Sequence, residues 1–129
     1  MNRKFLIAGA AFGLFAVIFG AFAAHGLKEA ISSESLESFE TGVRFQMYHA
    51  FLLLIIGSFK SFSEKTLRSL FYLILIGIIL FSGSIYLLST GSIFGVDFTS
   101  IALLTPIGGS LLIIGWIVLL LNFIKLKKK

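Results

Sequence analysis

From Phe5 to Ala24 the chain carries no charged residue and no proline, and at about 1.5 Å of rise per residue a helix of that length matches the roughly 30 Å hydrocarbon core of a bilayer. Three more apolar blocks follow, at Val43 to Phe59, Leu70 to Thr90 and Ile101 to Ile124. A water-soluble fold of this size has one core and needs polar residues to cover it. Here 57% of the 129 residues are apolar and only 13% charged, against roughly 45–50% and about 25% in ordinary soluble domains. The expectation is an all-α, polytopic integral membrane protein, a single domain over 1–129 with four transmembrane helices at about 5–24, 43–59, 70–90 and 101–124.

The first block also imitates a secretory signal, with Asn2, Arg3 and Lys4 ahead of it and Ala21-Phe22-Ala23 near its end. Its apolar run exceeds the usual signal core of about 7–15 residues, so it is expected to stay as a span. The second block is polar where it begins, because Arg44, Gln46 and His49 precede the wholly apolar run from Ala50. Leu36, Phe39, Val43 and Met47 recur at three- and four-residue spacing, which predicts a single helix from about Glu34 that starts as an amphipathic surface approach over about 34–42 and then dives inward as that span. For the fourth, Thr105-Pro106 reads as N-cap and first helical residue.

Basic residues set the orientation. Arg3 and Lys4 precede the first span, Lys60, Lys65 and Arg68 separate the second and third, and Lys125, Lys127, Lys128 and Lys129 follow the fourth. Only Lys28 and Arg44 fall on the other side, with Glu29, Glu34, Glu37, Glu40 and Asp97. Both termini are therefore expected on the cytoplasmic side of the membrane. The net charge of +5 thus reports topology, and no nucleic acid is expected as a partner. Zero cysteines exclude disulfides and thiolate chemistry.

Inside lipid, helices associate through small residues and hydrogen bonds. Gly9, Gly13, Ala16, Gly20 and Ala24 form a smooth stripe on the first span, and Gly83, Gly108 and Gly109 offer close approach in the third and fourth. The stripe suits a neighbouring helix of the same chain, or a second copy. The 15 phenylalanines share no period, and lipid contact accounts for them; Trp116, near mid-membrane, is expected to plug packing between helices.

Depth mapping puts the polar residues in one leaflet. His25 closes the first span on the outer side, Glu40, Arg44, Gln46 and His49 open the second, Ser82, Ser84 and Tyr86 end the third, and Thr105, Pro106 and Ser110 begin the fourth. Glu40 and Arg44 have the spacing of an intrahelical ion pair. Arg44 is rotated by about 200° from Gln46, at 100° per residue, so Arg44, Gln46 and His49 cannot all serve one small pocket. His49 can be an interhelical hydrogen-bonding group to a serine or tyrosine, a ligand contact, a proton carrier or a metal or haem ligand. Two histidines and distant glutamates lack the three or four clustered ligands that zinc needs, and haem would need a second axial ligand at equal depth, so no metal or cofactor is expected. Ser82 or Ser84 beside His49 could imitate a hydrolase pair.

Four signatures then stand in order: Gly20-Ala21-Phe22-Ala23-Ala24-His25-Gly26-Leu27, Phe39 to Ala50 with Arg44, Gln46 and His49, Phe81-Ser82-Gly83-Ser84-Ile85-Tyr86, and Thr105-Pro106-Ile107-Gly108-Gly109 with Gly115-Trp116. In them the chain resembles the small bacterial inner-membrane proteins of the YgdD/YwdK type, a domain of unknown function with a related small transmembrane protein in animals. Ala23 and Phe45 depart from that family's pattern, which has glycine and tyrosine there. The resemblance implies a four-helix membrane protein and no reaction.

Three functions compete. The leading one is a non-enzymatic protein whose outer-half polar layer receives a lipid headgroup or a partner helix, as part of a larger membrane complex or a homo-oligomer. The second is a minimal carrier or channel for a small solute or ion, against which stand the apolar cytoplasmic halves of the spans. The third is an intramembrane enzyme acting on lipid.

Overall fold

The computed structural model describes residues 2–126, and within them the chain is helical with no strand. Four long helices are joined by short connections: α1 (Arg3–His25), α2 (Ser33–Ser58), α3 (Glu64–Phe94) and α4 (Leu104–Ile124), with single 3-10 turns at Leu27–Glu29 and Thr99–Ile101. Lys127, Lys128 and Lys129 lie outside the described residues.

Local chemistry sets three of the helix ends. Ser32 caps α2 by accepting from the Ser35 amide at 3.1 Å, and Ser63 caps α3 by accepting from Thr66 at 3.2 Å, each followed by a glutamate in the first turn that favours the positive end of the helix dipole. α3 stops at Gly95, whose φ of +66° is left-handed, and the Val96 amide closes back on the Gly91 carbonyl at 3.0 Å. With Ser32 as its cap, α2 runs unbroken for 26 residues, so the approach helix and the second apolar block are one element. α4 departs from expectation at its start. Leu103 is the cap residue, and Thr105 and Pro106 lie inside the first turn, where the missing proline N–H has no intrahelical partner to lose. Thr105 spends its hydroxyl elsewhere, as described below.

Among the described residues, three helical stretches are long and apolar enough to cross a membrane: Arg3–His25, Glu64–Phe94 and Thr99–Ile124. α2 is long enough, but Glu34, Glu37, Glu40 and Arg44 make its first half polar.

Each helix packs on its chain neighbours, α1 on α2, α2 on α3 and α3 on α4. Gly9 and Gly57 let α1 and α2 come together: a Cβ at Gly9 would sit 2.9 Å from the Ala50 carbonyl oxygen, and one at Gly57 would sit 2.8 Å from the Phe5 Cβ. Gly13 and Gly20 face the same helix with ordinary room, at 3.8 Å from Ala50 and 3.5 Å from Val43. α3 and α4 meet through Gly77 and Gly108, where a Cβ on Gly108 would lie 2.8 Å from the Leu80 carbonyl carbon. Gly109 only touches Phe81, at 3.4 Å. Gly83 corrects the sequence expectation, since a Cβ there would find nothing within 4 Å; it lines an open groove with Phe15 and Ile79.

Two apolar clusters fill the interior. The larger one, with Phe5, Leu53, Ile56, Leu70, Ile74 and Leu112, occupies the part of the molecule where α1 begins and α2 ends. The smaller, Ala23, Leu27 and Phe39, lies at the opposite end against Phe19 and Tyr86. Phe5, Phe39, Phe62 and Phe71 are buried, so lipid contact does not account for every phenylalanine; Phe5 meets Phe71 edge to face at 5.2 Å.

Candidate functional site

Between the two clusters lies a layer of buried polar side chains, and α2 supplies its centre. Gln46 is almost fully buried and bonds both flanking helices. Its Nε2 donates to the Phe12 carbonyl oxygen of α1 at 2.8 Å, and its Oε1 accepts from the Tyr86 hydroxyl of α3 at 2.6 Å. The Phe12 carbonyl has a second lone pair for this beyond its own helical bond. One turn earlier Gly42 has no side chain, which brings α3 so close that the buried Ser82 Oγ donates to the Gly42 carbonyl oxygen at 2.8 Å. A Cβ at Gly42 would lie 2.9 Å from the Tyr86 ring. Phe19 and Phe39 hold that ring, with centroids 5.1 Å and 4.9 Å away.

His49 lies three residues beyond Gln46 and faces α4. The Trp116 indole Nε1 donates to its Nε2 at 3.1 Å, while its Nδ1 lies 2.7 Å from the Phe45 carbonyl oxygen one turn back. An indole can only donate and a carbonyl can only accept, so the two bonds together require a neutral imidazole protonated at Nδ1. The expected partner, a serine or tyrosine, is therefore replaced by Trp116. Ser82 is committed to Gly42, and Ser84 bonds the Phe81 carbonyl and the Thr105 hydroxyl of α4, so neither forms a serine–histidine pair with His49.

The other candidates lie apart. His25 is exposed at the last residue of α1, and Pro106 is exposed in the first turn of α4. Glu40 and Arg44 are exposed on α2, where Arg44 Nη2 donates to Thr41 Oγ1 at 3.0 Å in place of the expected ion-pair geometry. Every buried side-chain nitrogen and oxygen among the described residues has a partner, and none of these groups carries a charge. No three His, Asp or Glu side chains among the described residues converge to hold a metal ion.

Sequence reasoning missed several polar groups. The sequence assigns Trp116 to packing alone, and Thr66 and Asn122 bond each other at 3.3 Å across α3 and α4, at the end where the span halves are expected to be almost wholly aliphatic and aromatic. A cleft of about 380 Å³ also opens beside the polar layer, lined by Glu34, Ser35 and Ser38 of α2, Ser89 of α3, and Ala102 and Thr105 at the start of α4. Ser35, Ser38, Gly42, Gln46 and His49 recur every three or four residues, a polar stripe that could have drawn attention to it. In the adjoining loop Asp97 Oδ1 accepts from the Thr99 amide at 3.0 Å, and this bond with one from the Thr99 side chain holds the exposed carboxyl below the usual aspartate range.

Long apolar helices, a layer of neutral interhelical hydrogen bonds and glycines at the helix contacts define a helical membrane protein. The chain belongs to the family described as "Protein of unknown function (DUF423)", whose model matches residues 19–109. It is similar to a UPF0382 membrane protein of Staphylococcus aureus (strain bovine RF122 / ET3-1), 42% identical over 95% of this chain and 97% of the relative. A UPF0382 membrane protein of Haemophilus influenzae is 39% identical over 98% of both chains, and the UPF0382 membrane protein YwdK of Bacillus subtilis is 37% identical over 95% of this chain and 98% of its own. No solved structure matches.

Proposed function

We propose that the protein crosses the bacterial cytoplasmic membrane four times with both termini inside, and that it acts without catalysis, receiving a lipid headgroup or a partner helix at its outer half. The segregation of basic residues supports the orientation. The crossing by α2 is supported by its second half, where Phe45, Tyr48, Phe51 and Ile55 point outward along one face. Such a face is costly in water and at home in lipid.

The observation that carries the binding role is the cleft of about 380 Å³ at the outer end. The buried polar groups are spent on each other, whereas Glu34, Ser35 and Ser38 line an opening that reaches the surface. Below it the apolar cluster around Leu53, Ile56 and Ile74 gives a small solute no polar path inward, which weighs against a carrier.

A photo-crosslinking amino acid at position 38 tests this in cells. The expected product is an adduct with phospholipid or with one membrane protein, absent from a control placed at the exposed Ser61 in the connection between α2 and α3. Equal, unspecific labelling from both positions would refute the cleft as a binding site.

A further inference from the structure

We infer that a second lipid site lies at the opposite end of the molecule, where the groove between α3 and α4 holds an anionic phospholipid with its phosphate at Arg68. The groove has a volume of about 440 Å³ and is lined by Arg68, Ser69, Tyr72, Leu73 and Ile76 of α3 and by Leu111 of α4. Its lining is ordered by polarity. The guanidinium and two hydroxyl-bearing residues lie at the helix start, and the three aliphatic residues follow toward the interior of the span. Residues 68, 72 and 76 are spaced by one turn each, so the lining covers about 12 Å of helix at 1.5 Å per residue, the depth from a headgroup into the upper acyl chain.

Charge complementarity selects the occupant. Arg68 also lines a neighbouring cavity with Lys4 and Glu64, and the Lys4 ammonium lies 4.7 Å from the Phe71 ring centroid and 5.4 Å from that of Tyr72. Two cations against one carboxylate leave the mouth positive, and both cations are exposed. A guanidinium matches phosphate oxygens with paired donors, and basic pockets between spanning helices suit anionic headgroups. The groove and its charge are independent of the outer cleft; only the assignment to the cytoplasmic leaflet rests on the orientation proposed above.

Native mass spectrometry of the full chain in a neutral detergent tests the site, with phosphatidylglycerol or phosphatidylcholine of the same acyl chains added. The wild-type protein is expected to retain phosphatidylglycerol in preference to phosphatidylcholine. Arg68→Gln should lower phosphatidylglycerol retention about fivefold, the factor equivalent to about 1 kcal/mol per basic residue near an anionic surface, and leave phosphatidylcholine unchanged. Lys60→Gln removes a charge outside the groove and should behave as wild type. Ile76→Trp fills the apolar half and should lower retention of both lipids, with circular dichroism confirming that the helices are intact. Equal retention of the two lipids by the wild type, an equal loss in Lys60→Gln, or an unaffected Ile76→Trp would each overturn the proposal. Detergent solution has no sides, so a wrong orientation would leave this result standing and be seen only by labelling in cells.

Discussion

Gln46 is the side chain whose removal should weaken the assembly most through hydrogen bonding. Gln46→Leu keeps the volume close to native but abolishes the bond to the Phe12 carbonyl and the bond from the Tyr86 hydroxyl. Measured interhelical hydrogen bonds in membrane proteins average about 0.6 kcal/mol and reach about 1.7, so two of them give a loss of about 1–3 kcal/mol. The Phe12 carbonyl keeps its helical partner within α1 and suffers little, while the Tyr86 hydroxyl, among aromatic rings, loses its bond to Gln46. Tyr86→Phe removes that hydroxyl and so should offset part of the damage. Denaturant unfolding in detergent, measured on both single variants and on the pair, isolates the coupling between them. The expected coupling is about 0.6–1.7 kcal/mol. A coupling of zero, or a Gln46→Leu protein as stable as wild type, would refute the reasoning.

Other variants probe the remaining contacts. Gly9→Leu should lower the melting temperature sharply, since its side chain would meet the Ala50 carbonyl and Leu54, with overpacking costing about 1–3 kcal/mol, whereas Gly83→Leu enters open space and should be neutral. His49→Leu should shift the emission of Trp116, the single tryptophan, and destabilise the protein by about 0.6–2 kcal/mol, while His49→Gln retains an acceptor for the indole and should change little. A His49→Gln protein that is stable but no longer complements a deletion would instead point to proton or ligand chemistry. The depressed Asp97 carboxyl contributes stability that is complete above the unfolded pKa and is lost as pH falls through the lower folded one, so Asp97→Asn should flatten the acid limb of the stability profile.

The helices were legible because their signals are local. The uncharged run from Phe5 to Ala24 and the apolar blocks that follow it need no knowledge of the rest of the chain. A single helix from about Glu34 into the second span was legible for the same reason: the three- and four-residue recurrence runs through residue 42, and a polarity change alone does not end a helix, so α2 runs unbroken behind its cap Ser32. Thr105-Pro106 imitates a helix start, yet Thr105 turns to Ser84, twenty-one residues away. Sequence shows that a buried Gln46 or His49 needs partners; it does not say which. Tyr86 is 40 residues from Gln46 and Trp116 is 67 from His49, and these pairs follow from how three helices turn about their axes. Glycine carries the same ambiguity, since Gly9 and Gly83 look alike until their neighbours are in place.

Whether α2 crosses the membrane decides the topology, because its polar first half sets it apart from the other three helices. Glu29→Cys and Ser61→Cys place exposed thiols before and after it on this otherwise cysteine-free chain. An impermeant maleimide applied to intact spheroplasts is expected to label position 29 and spare position 61 until the membrane is opened. Labelling of both positions, or protection of both, would put the two ends of α2 on one side and contradict the proposed four crossings.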